Sequence, residues 1–562
     1  MADNKNAGNG CSGKLNGNSR SGKLNGNCRP VDRQSLALQY TDHLRREFGL
    51  RADRVIFING EEIVVTIRQE MLVQVCSYIR STFQGILTTM VGTDERALNG
   101  HFVLYYTFSL DREGIFITVK AVVEGEHPVF PSVTPDTPAA HWYEREVKDM
   151  LGLVPVGHPD PRRLVLHDNW PQGLHPLRKD FKRDEQPPVN TEKHFPFPKV
   201  EGEGVFEIPV GPIHAGIIEP GHFRFSAMGE SVLHLEARLF YTHRGVEKLA
   251  EGMSLEKGLF LAERVCATCA VSHAVAYCQA VEKMAGVEAP PRVRYIRTIL
   301  LELERIYNHI GDVGNICAGT GFAFGTSHCG RIKEMLMQLN EELTGNRFLR
   351  GMNRLGGVRR DVGGPAVYKI LNVLEKAERE FREVTEVILS HDFFLNRAAT
   401  TGILPRDAAV DLGAVGPAAR ASGVDRDIRR EHPHAAYGDL EFEVPVFSAG
   451  DVLCRLQARV EETFQSIKII RQALEKLPCG DLTVEVGEIP PYKHALGYSE
   501  SARGENIHWL MTGPDNTIFR YRVRSASFCN WPVVPLTVPG NIVPDFPLIN
   551  KSFELCYSCL DR

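Results

Sequence analysis

Two Cys-x-x-Cys units stand out: Cys266-Ala-Thr-Cys269, and Cys556-Tyr-Ser-Cys559 at the C-terminus. One such unit lets two thiolates reach one metal from a single turn, and two units from distant parts of a chain can build a four-thiolate site. Three chemistries compete for it. Structural zinc takes four thiolates in a closed tetrahedron, but its pairs normally come from adjacent hairpins of a small domain. Here roughly three hundred residues lie between the pairs. An iron–sulfur cluster would use all four thiolates and leave no substrate position. A soft transition-metal centre with bridging thiolates would leave one. Spacing alone divides these evenly.

The bulk composition narrows the setting. The chain has 562 residues, 43% hydrophobic and 24% charged, which suggests at least two domains with cores that need no covalent staples. A formal net charge of −5 gives no basic surface for nucleic acid. No apolar run is long enough to span a bilayer, and the N-terminus has neither an apolar signal core nor a twin-arginine start. The expectation is a cytoplasmic protein that meets a membrane only through partners. Thirteen scattered Cys argue against a secreted disulfide framework. Cys76, Cys278, Cys317, Cys329, Cys454, Cys479 and Cys529 form no further pair, so no iron–sulfur cluster is expected in this chain, and Cys11 and Cys28 read as incidental thiols.

Four regions must position these residues. Residues 1–32, rich in Gly, Asn, Ser and Lys with SGKLNGN twice, read as a disordered tail. Residues 33–182 read as an α/β domain: RQSLALQYTDHLRREFG and HWYEREVKDMLGL have helical periodicity, while IVVTI, HFVLYYTFSL and GIFITVKAVV are strand-like. Residues 183–200, Pro-rich and polar, read as an extended linker. Residues 201–562 open with strands, VFEIPV and HFRFSAMGESVLHLEARLFY. They continue as long amphipathic helices at RTILLELERIYNHIGDVGNI, AVYKILNVLEKAEREFREVTEVIL and VLCRLQARVEETFQSIKIIRQALEKL. From Ile518 the Pro content predicts an irregular, coil-rich segment packed over the helices.

Arg264-x-Cys266-x-x-Cys269-x-x-x-His273 resembles the N-terminal signature of nickel–iron hydrogenase large subunits. Cys556-x-x-Cys559-x-x-Arg562 resembles their C-terminal signature, in the Arg-ending variant typical of the membrane-bound, energy-converting group. The resemblance implies that Cys266 and Cys556 are terminal nickel ligands. Cys269 and Cys559 would then bridge nickel to an iron carrying two cyanides and one carbon monoxide. Heterolytic H2 cleavage needs a soft, electron-rich metal and a nearby base, and Cys556 is the implied proton acceptor. Glu219, in IEPGHFR, resembles the Glu that relays protons from the terminal thiolate; read alone it is a strand-end surface carboxylate. Arg503, in ESARGE, resembles the Arg poised over the open metal position; read alone it is a surface residue. His273 would hydrogen-bond a bridging sulfur, or else be a satisfied core His. Glu247, in HRGVEK, resembles a ligand of a second, structural Mg or Fe, or else begins a charged helix. Two departures stand against the pattern: Ser501 where Pro is usual, and Glu554-Leu555 where Asp-Pro usually precedes the third Cys. The sequence stops at Arg562, where relatives are cleaved after nickel insertion, so it is expected to be mature or to lack an extension.

A second resemblance runs alongside. EREVKDMLG, GHPDPRR and PLRKDF look like the 30 kDa subunit of respiratory complex I. HRGVEK, ELERIYNHIGD, GGVRRD and YRVRSASFCNW look like its 49 kDa subunit. Their fusion is typical of large subunits of formate hydrogenlyase and related group 4 hydrogenases. The implied fold is α+β: an N-terminal α/β 30 kDa-like domain, then a mainly helical hydrogenase large-subunit/49 kDa-like domain. The implied function is interconversion of H2 with protons and electrons. The implied partners are an iron–sulfur small subunit, ferredoxin-like electron-transfer subunits, antiporter-like membrane subunits and hydrogenase maturation proteins, on the cytoplasmic face of the inner membrane. The alternative is a complex I-like NADH/quinone oxidoreductase subunit lining a quinone site without nickel. Four retained Cys, and Ile218-Glu219 where the complex I form has a second His, favour the hydrogenase.

Overall fold

A computed structural model describes residues 33–562 except 183, 185, 186, 189, 191, 193, 216 and 217. The expected tail at 1–32 lies outside the described residues. The N-terminal part is one sheet in the order β1-β2-β5-β4-β3, with β1 Val55–Ile58, β2 Glu62–Arg68, β3 Ile86–Glu95, β4 His101–Leu110 and β5 Ile115–Glu124. Only β2–β5 is parallel. Helix Leu72–Thr82 provides the crossover between β2 and the antiparallel β3–β4–β5 meander.

Strand β4 is apolar on both faces because both are covered. Phe102, Leu104, Tyr106 and Phe108 point into the main core, while Val103 and Tyr105 point into a second core shared with the C-terminal part. Strand alternation sends neighbouring side chains to opposite faces, so two buried faces give a continuous apolar run.

The second core is closed by a three-stranded antiparallel sheet, His494–Ser501, Gly504–Thr512 and Ile518–Arg524. Ile507, Trp509 and Met511 face the N-terminal sheet; Leu510 faces the opposite side, in a cluster with Cys266, Cys269 and Cys559. Helix Ala270–Ala285 lies on that opposite side, so close that a Cβ on Gly497 would stand 1.8 Å from the Ala276 carbonyl oxygen. The site is thus backed by helix, sheet and sheet.

This corrects the expected coil from Ile518. In RYRVR the residues facing the N-terminal sheet are Arg520, Arg522 and Arg524, whose polarity hides a buried strand. Arg520 and Arg524 donate to the carbonyl oxygens of Gly92 and Thr88, and Arg522 pairs with Glu146. Residues Phe546–Phe553 and Tyr557–Asp561 are also helical.

Helix Pro291–Thr320 is the axis of the helical part. Pro291 sits at its first turn and Gly321, in the left-handed region at φ 78°, ends it. Ile296, Ile299, Leu303, Ile306, Ile310 and Val313 form its apolar stripe, while Glu302, Glu304, Arg305, Asn308, His309 and Asp312 are buried on other faces. Helices Ala323–Thr344 and Val452–Glu475 pack along it. Around residues 194–200 the chain has no regular structure but is pinned: Arg238 and Arg162 lie 4.6 and 5.0 Å from the centroid of Phe195, and Arg224 lies 3.9 Å from that of Phe197.

Candidate metal centre

The two Cys-x-x-Cys units meet at the N-termini of two helices. Cys269 is the residue before helix Ala270–Ala285, and Cys556 is the residue before helix Tyr557–Asp561. The sulfurs of Cys266 and Cys556 are 3.7 Å apart, and those of Cys266, Cys556 and Cys559 all lie within 4.8 Å of one another. Cys269 is outside that trio, and none of the four is in a disulfide.

The first loop is held by helix Pro291–Thr320. Tyr307 Oη and Asn308 Nδ2 each donate to the Thr268 carbonyl at 2.8 Å. The buried Glu304 carboxylate accepts the backbone N–H groups of Val271 at 2.6 Å and Ser272 at 3.0 Å, satisfying donors that the first turn of a helix leaves free. The second loop is held by Ser527, whose Oγ accepts the Cys556 N–H at 3.1 Å. Arg244 joins the loops, donating to the carbonyl oxygens of Arg264 (3.0 Å), Val265 (3.0 Å) and Ser558 (2.8 Å).

Arg503 lies beside the sulfurs. Its Nη1 donates to Asn308 Oδ1 at 2.7 Å and is 3.8 Å from Cys269 Sγ; its Nη2 donates to Asp312 at 3.2 Å and its Nε to the Glu554 carbonyl at 2.9 Å. Burial would raise the Asp312 carboxyl, but Arg503, His309 and Arg459 outweigh it and hold it at about 2. The Glu554 side chain, pushed up to about 7 by burial and then by Asp312, accepts from Asn315 at 2.5 Å. Glu554 itself has φ 54°, ending the preceding helix where the usual Asp would stand. Glu219, half-buried, meets Cys556 through one hydroxyl: Ser558 Oγ donates to Glu219 Oε1 at 2.6 Å and lies 3.6 Å from Cys556 Sγ.

His273 Nδ1 lies 2.8 Å from His508 Nε2, in the core behind the sulfur cluster. At Glu247, Arg562 and Arg520 donate to its two oxygens at 2.8 Å, Arg522 at 3.1 Å and the Val523 N–H at 3.2 Å. The carboxylate is filled by guanidinium groups, and a cation would be repelled by three positive charges.

The donor set fits a soft, thiolate-bound metal. Hydrogen bonds from Cys269, Cys556 and Cys559 hold the Cys266 thiol well below its ordinary value. The bond to Cys266 pushes Cys556 up to about 12 and raises Cys269, while burial raises Cys559. Such a cluster cannot ionise fully on its own; cations that bind thiolate bring about that deprotonation.

Comparison with known proteins agrees in class. Residues 244–312 match the nickel-dependent hydrogenase family. Residues 65–187 match the 30 Kd subunit of the respiratory-chain NADH dehydrogenase, and 319–497 and 482–562 match its 49 Kd subunit. Formate hydrogenlyase subunit 5 of Escherichia coli (strain K12) is 40% identical over 507 residues, 89% of each chain. Hydrogenase-4 component G of the same organism is 40% identical over 507 residues, 89% of this chain and 88% of that one. A chain of the membrane-bound sulfane sulfur reductase, an archaeal respiratory membrane complex, superposes with a TM-score of 0.61 at 27% identity, covering 64% of this chain and 99% of its own. The chain belongs to the group 4 [NiFe]-hydrogenase large subunits of the formate hydrogenlyase type, with fused 30 kDa-like and 49 kDa-like modules.

Neither Arg244, Ser558, Glu304 nor Asp312 had been singled out by type or spacing. The HRGVEK and ELERIYNHIGD motifs that contain three of them were the available signal; Ser558 had only its place inside the second Cys-x-x-Cys.

Proposed function

We propose that this chain interconverts H2 with protons and electrons at a nickel–iron centre held by Cys266, Cys269, Cys556 and Cys559. In this reading Cys266 and Cys556 would be the terminal ligands and Cys269 and Cys559 the bridging ones. When bound, the centre, its iron carrying cyanide and carbon monoxide, supplies the soft, electron-rich position at which H2 is split. The chain's residues handle the rest. Cys556 Sγ takes the proton, Ser558 Oγ passes it, and Glu219 carries it outward. A hydroxyl accepts one proton while giving up another, so a single Ser suffices as the link. Arg503, tied to Asp312 and Asn308, presents a fixed guanidinium beside Cys269 and excludes water from that side.

The observation that carries this reading is the Cys556–Ser558–Glu219 series running outward from the sulfur cluster. Oxidation of H2 releases two protons and two electrons. With no second cysteine cluster in this reading, the electrons leave through an iron–sulfur small subunit and ferredoxin-like subunits. Among the described residues no helix is long and apolar enough to cross a membrane. Peripheral attachment through antiporter-like subunits on the cytoplasmic face, after nickel insertion by maturation proteins, completes the proposal. The quinone-site alternative, suggested by the 49 Kd match, needs none of the four thiols. Substituting Glu219 with Gln and assaying H2 evolution together with nickel content tests the reading: activity should fall while nickel stays. Unchanged activity would remove Glu219 from the path.

A further inference from the structure

The helix that carries the second thiolate pair is short and has to be held in place. Tyr557–Asp561 has five residues, with Cys556 at its N-terminal boundary and Cys559 inside it. A helix below about 12–15 residues is marginal by itself in water, so tertiary contacts must fix its ends. Two residues at its far end supply them. Asp561 accepts the N–H groups of Phe240 at 3.0 Å and Thr242 at 2.8 Å, and the Thr242 hydroxyl at 2.6 Å. Arg562 Nη1 donates to Glu247 at 2.8 Å and to the Val523 carbonyl at 3.0 Å. All of these partners belong to the C-terminal part.

The other arm of Arg562 reaches the N-terminal domain. Its Nη2 forms an ion pair at 3.0 Å with Glu146 Oε1, on helix His141–Leu151. Glu146 also accepts from Arg522. Five charged side chains thus meet where the two domains join: Glu146, Glu247, Arg520, Arg522 and Arg562, each between 1% and 6% exposed. Three cations face two carboxylates. Solvent cannot replace a lost partner there, and an uncompensated buried charge is strongly unfavourable. Arg520 and Arg522 are fixed in a paired strand. Arg562 follows a five-residue helix and is the cation best able to shift, and Cys559 stands only three residues before it.

We propose that Glu146 is a positioning residue of the metal centre. By drawing Arg562 toward the N-terminal domain, it sets the seat of helix Tyr557–Asp561 and so holds Cys559 Sγ within 4.8 Å of Cys266 Sγ. The N-terminal domain is then part of the scaffold that shapes the centre. The inference rests on the nickel–iron reading of the four thiolates, but the helix it concerns can be followed without a metal.

The test compares the purified complex carrying wild type, Glu146→Gln, Glu146→Asp and a control, Asp111→Asn. The Asp111–Arg426 pair, at 2.8 Å, joins the same two parts of the chain and lies on no element that carries one of the four cysteines. Two readouts are taken: the electron paramagnetic resonance g-values of the nickel centre, at measured nickel content, and amide hydrogen exchange over residues 556–562. The Leu560 and Arg562 N–H groups, bonded to the Cys556 and Ser558 carbonyls, report on the helix. Glu146→Gln should shift the g-values and exchange this segment about tenfold faster, since exchange follows the free energy of local opening. Glu146→Asp keeps the charge and should lie between Glu146→Gln and wild type. Asp111→Asn should match wild type in both readouts. Wild-type exchange or wild-type g-values in Glu146→Gln, or an equal change in Asp111→Asn, would overturn the proposal. If Glu146→Gln does not fold, Glu146→Asp decides on the same two readouts. A wild-type complex without nickel would defeat the nickel–iron reading itself, and the exchange comparison would still decide the role of Glu146.

Discussion

The guanidinium of Arg244 donates to the carbonyl oxygen of Ser558 at 2.8 Å, across 314 residues of sequence. Its other donors hold the carbonyls of Arg264 and Val265, immediately before Cys266. One side chain therefore fixes the separation of the two thiolate loops, and the fixed fork of Arg suits it to three carbonyls. Arg244→Lys keeps the charge and cannot span them. Each lost hydrogen bond from a charged donor is worth about 1.5–3 kcal/mol. Nickel per purified chain should fall well below wild type, while the far-ultraviolet circular dichroism is unchanged.

The Ser558 link predicts a graded series. Ser558→Thr retains a hydroxyl between Cys556 and Glu219 and should keep most activity. Ser558→Ala removes it. Loss of a positioned proton carrier costs about 10²–10⁴-fold, so H2 turnover should fall by up to that range at constant nickel content. Equal rates for Ser558→Ala and wild type would mean the proton leaves by another route.

Arg503 should resist conservative replacement. Its fork is spread over Asn308, Asp312, the Glu554 carbonyl and the face of Cys269. Arg503→Lys leaves Asp312 buried with incomplete compensation, and breaking such a pair costs about 3–5 kcal/mol. A lowered melting temperature and a drop in turnover of at least tenfold are expected, against normal nickel loading.

The ion pairs of the helical part predict an acid-sensitive stability. Burial alone would raise Glu302, yet Arg305 and Arg429 hold it at about 2 in the folded chain, below its ordinary 4.5. A depressed carboxylate adds stability above its unfolded value, and that contribution is lost as pH falls from 4.5 toward 2. Glu302→Gln should therefore be less stable than wild type at pH 7, by roughly 3–5 kcal/mol, with the gap narrowing between pH 4.5 and 3 in denaturant melts. A gap independent of pH would refute the paired-carboxylate assignment.

Much of the site was legible in sequence because its parts are local motifs. The two Cys-x-x-Cys units, Glu219 and Arg503 each sit in short signatures, and the structure brings all of them to one place. Glu304 lies in a motif whose chemistry does not point at a metal, and it holds the first thiolate loop only through tertiary contact. The guanidinium partners of Glu247 are hidden too: a carboxylate that meets a hard cation and one that meets guanidinium look alike in sequence, and Arg520, Arg522 and Arg562 reach it only through tertiary contact. The buried strand Ile518–Arg524 was hidden for the same reason, since paired arginines on a covered face imitate a solvated one. The N-terminal strands were plain, being apolar on two covered faces.

The most direct test is metal analysis of the purified complex with wild-type chain and with Cys556→Ser. The nickel–iron account predicts one nickel and at least one iron per wild-type chain, with nickel lost in Cys556→Ser. Zinc in their place, or no metal in the wild type, or nickel retained in full by Cys556→Ser, would contradict it.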